Sequence, residues 1–174
     1  MTTIGLQNYF NSYKLSDGSL VNVNIIDTSG QERFRALNQN YYRNADCCLL
    51  VYDVSNRKSF EECKYYIQQI KERCKQNIKV ILLGNKTDLK KNVSTEEGIK
   101  LALKNEYIFK ETSCIKNINV INAFEALIEI TNNEAKKNNT NQLKRTKSKI
   151  VLTKEGHNKS ENKKVSKEEK RRIC

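Results

Sequence analysis

The 174-residue chain carries 32 Lys and Arg residues against 20 Asp and Glu, and residues 138–174 alone hold 12 basic and 4 acidic residues. This length predicts one domain, with or without an appendage, and a basic tail indicates an acidic partner surface or plain solvation. No apolar stretch approaches a membrane span, and the six cysteines form no C-x-x-C pair. We therefore expect neither a membrane span nor a zinc site, and a reduced cytosolic setting fits best.

The first half of the chain predicts strands. Residues 4–15 and 20–26 flank Asp17-Gly18, a dipeptide typical of a β-hairpin turn. Residues 47–54 and 80–84 are continuous apolar runs, as expected of strands buried on both faces of a parallel sheet.

The second half predicts helices alternating with strands. Apolar residues between Phe60 and Cys74 recur at helical spacing, and Ser94 with Glu97 forms a capping box that opens another helix. We expect Leu101, Ala102 and Leu103 on the inner side of that helix. A strand at residues 107–112 and an amphipathic helix at 120–136 follow, which together predict an α/β sheet with crossover helices.

Residues 138–174 have a different composition, rich in Lys, Asn, Ser and Thr. Their one apolar cluster is Ile150-Val151-Leu152. We predict a folded domain at residues 1–137 and a disordered basic tail at 138–174.

Polar clusters follow three of the predicted strands. They are DTSGQE at residues 27–32, NKTD at 85–88 and ETSC at 111–114. In parallel α/β sheets, ligands bind beyond the carboxyl ends of the strands. Each cluster alone is compatible with an ordinary loop, but their order and placement are specific.

These motifs and their neighbours resemble the Ras superfamily, and in particular its Rab family. The resemblance rests on DTSGQERFRALNQNYYRNA at residues 27–45, LLVYDVSNRKSFE at 49–61 and TIG at 3–5. It covers about residues 2–131. It implies a P-loop-NTPase-like α/β sheet with flanking helices, lacking its first strand, phosphate-binding P-loop and first helix. In the family the absent strand lies between the hairpin and the strand at residues 47–54.

The resemblance also implies a guanine site. Asp88 would accept hydrogen bonds from the ring N–H and amine of guanine, and Asn85 would contact the other edge of the base. The Lys86 stem would pack along the ring, while Ser113 and the Cys114 amide would close over the carbonyl oxygen. The family usually has Ser-Ala-Lys where this chain has Ser113-Cys114-Ile115, so the lysine contact is lost unless Lys116 supplies it.

The remaining implied roles concern the phosphates and a Mg²⁺ cofactor. Thr3 and Asp27 would hold Mg²⁺, and Thr3 and the Gly30 amide would contact the γ-phosphate. Gln31 would be the catalytic residue that orients the attacking water. Cys174 would be the site of lipidation, followed by membrane attachment through the basic tail.

The favoured interpretation is a GTP/GDP-binding switch of vesicle traffic that acts on the cytoplasmic face of endomembranes and cycles between membrane and cytosol. Its partners would be effectors, exchange factors and GTPase-activating proteins, and its nucleotide binding would be impaired by the absent P-loop. The alternative is a nucleotide-free interaction module that does not cycle. Nucleic-acid binding is disfavoured, because the tail lacks interleaved aromatic residues.

Overall fold

A computed structural model describes residues 6–28, 39–138 and 147–153, which form a six-stranded sheet with flanking helices. The strands are β1 (Leu6–Lys14), β2 (Leu20–Thr28), β3 (Cys47–Asp53), β4 (Lys79–Asn85), β5 (Ile108–Glu111) and β6 (Lys147–Thr153). The helices are α1 (Gln39–Asn44), α2 (Arg57–Arg73), α3 (Thr95–Lys104) and α4 (Val120–Asn138). The strand order is β1-β2-β6-β3-β4-β5, with β1 antiparallel and the other neighbours parallel.

The predicted hairpin is confirmed. β1 pairs with β2 from Leu6 opposite Thr28 to Lys14 opposite Leu20. In the turn, Gly18 has φ +83°, a conformation that glycine adopts without steric cost. The Asp17 carboxylate accepts a 2.9 Å hydrogen bond from the Ser19 amide, which explains why Asp-Gly at this point ends one strand and begins the next.

The two predicted apolar strands lie at the centre of the sheet and are buried on both faces. Alternate residues of β3 and β4 point into two separate core layers. Leu50 and Leu82 pack under α2, while Leu49 and Ile81 pack under α4. A continuous apolar run therefore suits these strands, because neither face contacts water.

The predicted helices form, and their caps follow the sequence. Asn56 caps α2 by accepting from the Lys58 and Ser59 amides, and the Ser94–Glu97 capping box opens α3. The expectation for α3 was wrong in one residue. Ala102 is buried, but Leu103 is 71% exposed, because a helix turns about 100° per residue and cannot bury three consecutive side chains on one face.

The sixth strand is the principal departure from the sequence prediction. Residues 147–153 belong to the segment that we expected to be disordered, yet they form β6 between β2 and β3. That is the position at which the family resemblance predicts an absent strand. The rest of the expected tail, residues 139–146 and 154–174, lies outside the described residues.

A crossover connection brings β6 into this position. β5 lies at one edge of the sheet, and α4 crosses the sheet face while packing on β3, β4 and β6. The helix thus returns the chain to the edge where parallel strands begin, as βαβ units do. None of the helices within residues 39–138 combines the length and apolarity needed to cross a bilayer.

Gly98 in α3 supports a test of the packing between α3 and the sheet. A Cβ atom at this position would lie 2.5 Å from Phe109 Cε2 and 2.6 Å from the Tyr52 hydroxyl. Helix propensity alone predicts that Gly98→Ala stabilises the protein by about 1 kcal/mol. We expect instead that Gly98→Ala lowers the free energy of unfolding by about 1 kcal/mol, because overpacking a core costs roughly 1–3 kcal/mol.

Urea unfolding measures this change, with Lys100→Ala on the exposed side of α3 as the control. Stabilisation by Gly98→Ala would show that the contacts with Phe109 and Tyr52 relax freely.

Candidate functional site

The polar clusters that follow β4 and β5 meet at the carboxyl edge of the sheet. β4 and β5 are adjacent and parallel, with Gly84 opposite Glu111. The Thr112 amide donates to the Gly84 carbonyl at 2.9 Å, and the Thr87 amide donates to the Thr112 carbonyl at 3.2 Å. Backbone hydrogen bonds therefore continue past the strands and hold the two loops together.

Asn85 is fixed at the centre of this arrangement. Its side chain is 5% exposed, and its Oδ1 accepts a 3.1 Å hydrogen bond from the Thr112 hydroxyl. The Asn85 carbonyl accepts from the Val54 amide at 2.9 Å, which ties the loop after β4 to the end of β3. Cys114 Sγ lies 3.3 Å from Asn85 Oδ1. The side chain is thus held by the segment after β5, and the backbone of the same residue is held by the end of β3.

Asp88 and Ser113 form the second pair of the cluster. The fully buried Ser113 hydroxyl donates to Asp88 Oδ1, and it accepts from the Lys116 amide at 3.2 Å. Ser113 and Ile118 exchange backbone hydrogen bonds in both directions. Because one oxygen of the half-buried Asp88 is held by Ser113, the carboxylate has a fixed orientation between the loops that follow β4 and β5.

Lys86 has an unusual backbone conformation. Its φ of +65° lies in the left-handed region, which is uncommon for a residue with a long side chain. Its Nζ lies 2.6 Å from Asp53 Oδ2, at the carboxyl end of β3. Strained backbone of this kind is often found at ligand sites, where the surrounding contacts over-determine it.

Asp53 is the acidic partner that orients Lys86. Its side chain is 12% exposed and also accepts from the Ser55 amide and hydroxyl at 2.8 and 2.6 Å. Burial acts to raise the pKa of the Asp53 carboxyl, but the hydrogen bonds from Lys86 and Ser55 outweigh it, so the pKa is lowered. The carboxylate therefore stays ionised and keeps the Lys86 side chain across the end of the sheet.

Asp27 lies at the same edge but on another strand. It is 2% exposed, near the end of β2, opposite Leu152 of β6. The strand order places β6 and β3 between β2 and β4, a lateral distance of about 14 Å at the usual strand spacing. The predicted site residues thus fall in two separate places, the cluster of Asn85, Asp88 and Ser113 at the ends of β4 and β5, and Asp27 near the end of β2.

Of the two residues expected to hold Mg²⁺, the structure describes Asp27, whose carboxylate is a type of ligand that Mg²⁺ uses. Within residues 6–28, 39–138 and 147–153, no three His, Cys, Asp or Glu side chains form a metal-binding group. Mg²⁺ needs no such cage, since it commonly uses one or two carboxylates together with waters and substrate phosphates.

The remaining predicted site residues cannot be placed. Thr3, Gly30, Gln31 and Cys174 lie outside the described residues, so their roles stay predictions. Asp27, Asn85, Lys86, Asp88, Ser113 and Cys114 all lie within them.

Three residues contribute contacts to the site that were not predicted from the sequence. Thr112 holds Asn85, Asp53 holds Lys86, and Lys116 supplies a backbone amide to Ser113, with its side chain exposed. A sequence signal existed for Asp53, an acidic residue at the end of a buried strand. Thr112 belongs to the predicted ETSC cluster, but that pattern did not indicate its contact with Asn85.

Comparisons with known proteins identify the family of the chain. A model of the Ras family matches residues 1–133. The chain belongs to the Ras family. Its relatives indicate the Rab type, since Ras-related protein Rab-8A from Bos taurus is 43% identical over 129 residues. Ras-related protein Rab-8 from Diplobatis ommata is 39% identical over 153 residues, and Ras-related protein Rab11B from Nicotiana tabacum is 39% identical over 132.

The chain matches only part of these relatives. The alignment with Rab-8A covers 73% of this chain and 62% of the relative. The corresponding shares are 86% and 72% for Rab-8, and 74% and 60% for Rab11B. The family and the small G-protein sheet predicted from the sequence are confirmed.

The Asp53–Lys86 ion pair predicts a pH-dependent contribution to stability. Because the folded pKa of Asp53 is lowered, its contribution is present above the unfolded pKa and is lost as the pH falls through the folded value. We expect Asp53→Asn to lower the free energy of unfolding by about 1 kcal/mol at neutral pH. The difference from wild type should shrink on acidification.

Urea unfolding measured from neutral to acidic pH tests this prediction, with Glu61→Gln on the exposed face of α2 as the control. A difference that stays constant from neutral to acidic pH would contradict the role of the charged pair.

Proposed function

We propose that this chain is a Rab-type GTP/GDP-binding switch of vesicle traffic. The observation that supports it best is the cluster of Asn85, Asp88 and Ser113 at the carboxyl ends of β4 and β5. The cluster is held by hydrogen bonds from three segments, as a preorganised recognition site requires.

The chemistry of this cluster favours guanine. The Asp88 carboxylate is an acceptor with one oxygen held by Ser113, so its second oxygen can accept from a ligand. Guanine offers a ring N–H and an exocyclic amine on one edge, which adenine does not. A buried acceptor left unpaired by the wrong base costs free energy, and this difference supplies base selectivity.

The phosphates would lie toward Asp27, at the other part of the site. Mg²⁺, when bound, would neutralise phosphate charge there. Among the chain's own residues, Asp27 would supply a carboxylate oxygen and Thr3 a hydroxyl toward the metal. Gly30 would donate its amide to the γ-phosphate, and Gln31 would orient the attacking water.

Affinity for the nucleotide should be low in the 174-residue chain. Its sequence has no Gly-x-x-x-x-Gly-Lys-Ser/Thr segment, in which backbone amides and a lysine grip phosphates. Each charge-assisted hydrogen bond of that kind contributes about 1.5–3 kcal/mol, so losing several would weaken binding by orders of magnitude.

The wider role would be that of a regulated membrane switch. Effectors, exchange factors and GTPase-activating proteins would be the protein partners. The basic tail and a lipid on Cys174 would supply two membrane signals, attaching the protein to the cytoplasmic face of endomembranes and letting it cycle with the cytosol.

One observation favours a second candidate, a nucleotide-free module that does not cycle. β6 occupies the central position between β2 and β3. Such a module would retain the family surface and bind partners irrespective of nucleotide.

Base selectivity distinguishes the two functions. We expect the chain to bind Mg·GDP weakly, in preference to Mg·ADP, with Mg·XDP (the xanthosine nucleotide) bound more weakly than Mg·GDP. Asp88→Asn should change the ratio of the GDP and XDP affinities by about 10- to 100-fold, so that XDP becomes the preferred ligand. The reason is that an amide donates to the xanthine carbonyl and no longer accepts from the guanine amine. Ligand-observed NMR titration at millimolar nucleotide measures the ratio.

The matched control is Glu72→Gln, which makes the same change of charge in the last turn of α2, on an exposed side chain. It should leave the GDP-to-XDP ratio unaltered. Equal affinity of the wild-type chain for GDP, ADP and XDP would support the module and remove Asp88 from base recognition.

A further inference from the structure

Asp53 is fixed at the carboxyl end of β3 through both its backbone and its side chain. Its amide donates to the Ser59 hydroxyl at 3.0 Å, and its carbonyl accepts from the Asn56 amide at 3.0 Å, where α2 begins. Its Oδ1 accepts from both the amide and the hydroxyl of Ser55. A carboxylate anchored in this way holds its second oxygen, Oδ2, in a defined place.

That second oxygen holds the end of the Lys86 side chain. The Lys86 ammonium donates to Asp53 Oδ2 at 2.6 Å, so the side chain spans from the loop after β4 to the end of β3. It remains 39% exposed, whereas Asp53 is 12% exposed. Ordering a lysine side chain costs conformational entropy. The ion pair offsets this cost within the protein, before any ligand binds.

The backbone of Lys86 shapes the loop that carries Asp88. The Lys86 carbonyl accepts from the Leu89 amide at 2.9 Å, which closes a turn with Thr87 and Asp88 at its centre. The amide and the hydroxyl of Thr87 both donate to a backbone carbonyl after β5, at 3.2 Å. Lys86 is therefore held at its backbone by this turn and at its ammonium by β3, and its left-handed conformation is over-determined.

We propose that Asp53 is a positioning residue for the purine ring of a bound nucleotide, and that it acts through Lys86 without touching the ligand. This inference rests on the proposed function. With its ammonium fixed at the end of β3, the aliphatic stem of Lys86 is already ordered when the ring packs along it. All purines share the ring face, whereas Asp88 recognises one edge of the base. Asp53 therefore sets how tightly a purine nucleotide binds, and Asp88 sets which purine is preferred.

Asp53→Asn tests this role in the 174-residue chain, because it removes the charge and preserves the size of the side chain. The freed Lys86 stem must then be ordered during binding, so the Kd for Mg·GDP should rise about 3- to 10-fold. The Kd for Mg·IDP, the inosine nucleotide, should rise by the same factor, because inosine has the same ring face. The ratio of the two Kd values should stay constant. Ligand-observed NMR titration measures both, and circular dichroism verifies that the variant is folded.

Lys86→Met tests the ion pair from its other side. Methionine keeps an unbranched stem but has no ammonium, so this variant alone should also raise both Kd values about 3- to 10-fold. Adding Asp53→Asn to Lys86→Met should then change them by less than about 2-fold, because the carboxylate has no ammonium left to hold. An effect of full size in the double variant would show that Asp53 acts by another route, and would overturn the proposal.

Two matched variants control for charge and for stability. Glu61→Gln makes the same change of charge on the exposed face of α2. Gly98→Ala overpacks α3 against the sheet and should destabilise the protein by an amount similar to Asp53→Asn. Neither should alter the Kd for GDP. Weakening by Gly98→Ala as large as that by Asp53→Asn would assign the effect to lost stability and overturn the proposal.

The wild-type chain separates failure of this proposal from failure of the proposed function. If it prefers GDP to ADP but Asp53→Asn binds GDP equally tightly, Asp53 has no positioning role and the proposed function stands. If the wild-type chain binds GDP and ADP equally, or binds neither, the proposed function fails and the role of Asp53 fails with it.

Discussion

The parallel pairing of β6 with both β2 and β3 is the constraint on which the rest of the sheet depends. Without it, β2 would end the hairpin with an unpaired edge, and β3 would present a second one next to its buried apolar run. Exposed apolar edges of this kind favour aggregation and non-native pairing. With β6 in place, five strands run parallel and share two continuous core layers, and the edges of the sheet become the polar β1 and the short β5.

The sheet positions the candidate site by bringing the carboxyl ends of its parallel strands to one edge. The cluster of Asn85, Asp88 and Ser113 forms where β4 and β5 end, and Asp27 lies near the end of β2. β3 contributes Asp53, whose ionised carboxylate holds Lys86. Since β6 lies between β2 and β3, it sets the lateral separation of the two parts of the site. The geometry of the site therefore depends on a segment that is distant from it in the sequence.

Local patterns predicted much of this structure. Asp17-Gly18 predicted the hairpin, the apolar runs predicted β3 and β4, and the polar clusters at residues 85–88 and 111–114 predicted two loops that lie together. β6 was missed because its apolar core is three residues long and is flanked by lysines, so that composition indicated a solvated tail. Its partners on β2 and β3 are about 100 residues or more away in the chain, and no local pattern encodes such pairing. The Thr112 contact with Asn85 and the left-handed backbone of Lys86 also arise only from the packing of separate loops.

Amide hydrogen exchange of the intact chain tests the central claim most directly, because it measures whether residues 147–153 are hydrogen-bonded in the native protein. If β6 is paired on both sides, the amides of Ile150, Val151 and Leu152 exchange as slowly as those of Leu49 and Leu50 in β3. Exchange of these three amides at the rate of an unstructured peptide, while the β3 amides remain protected, would contradict it.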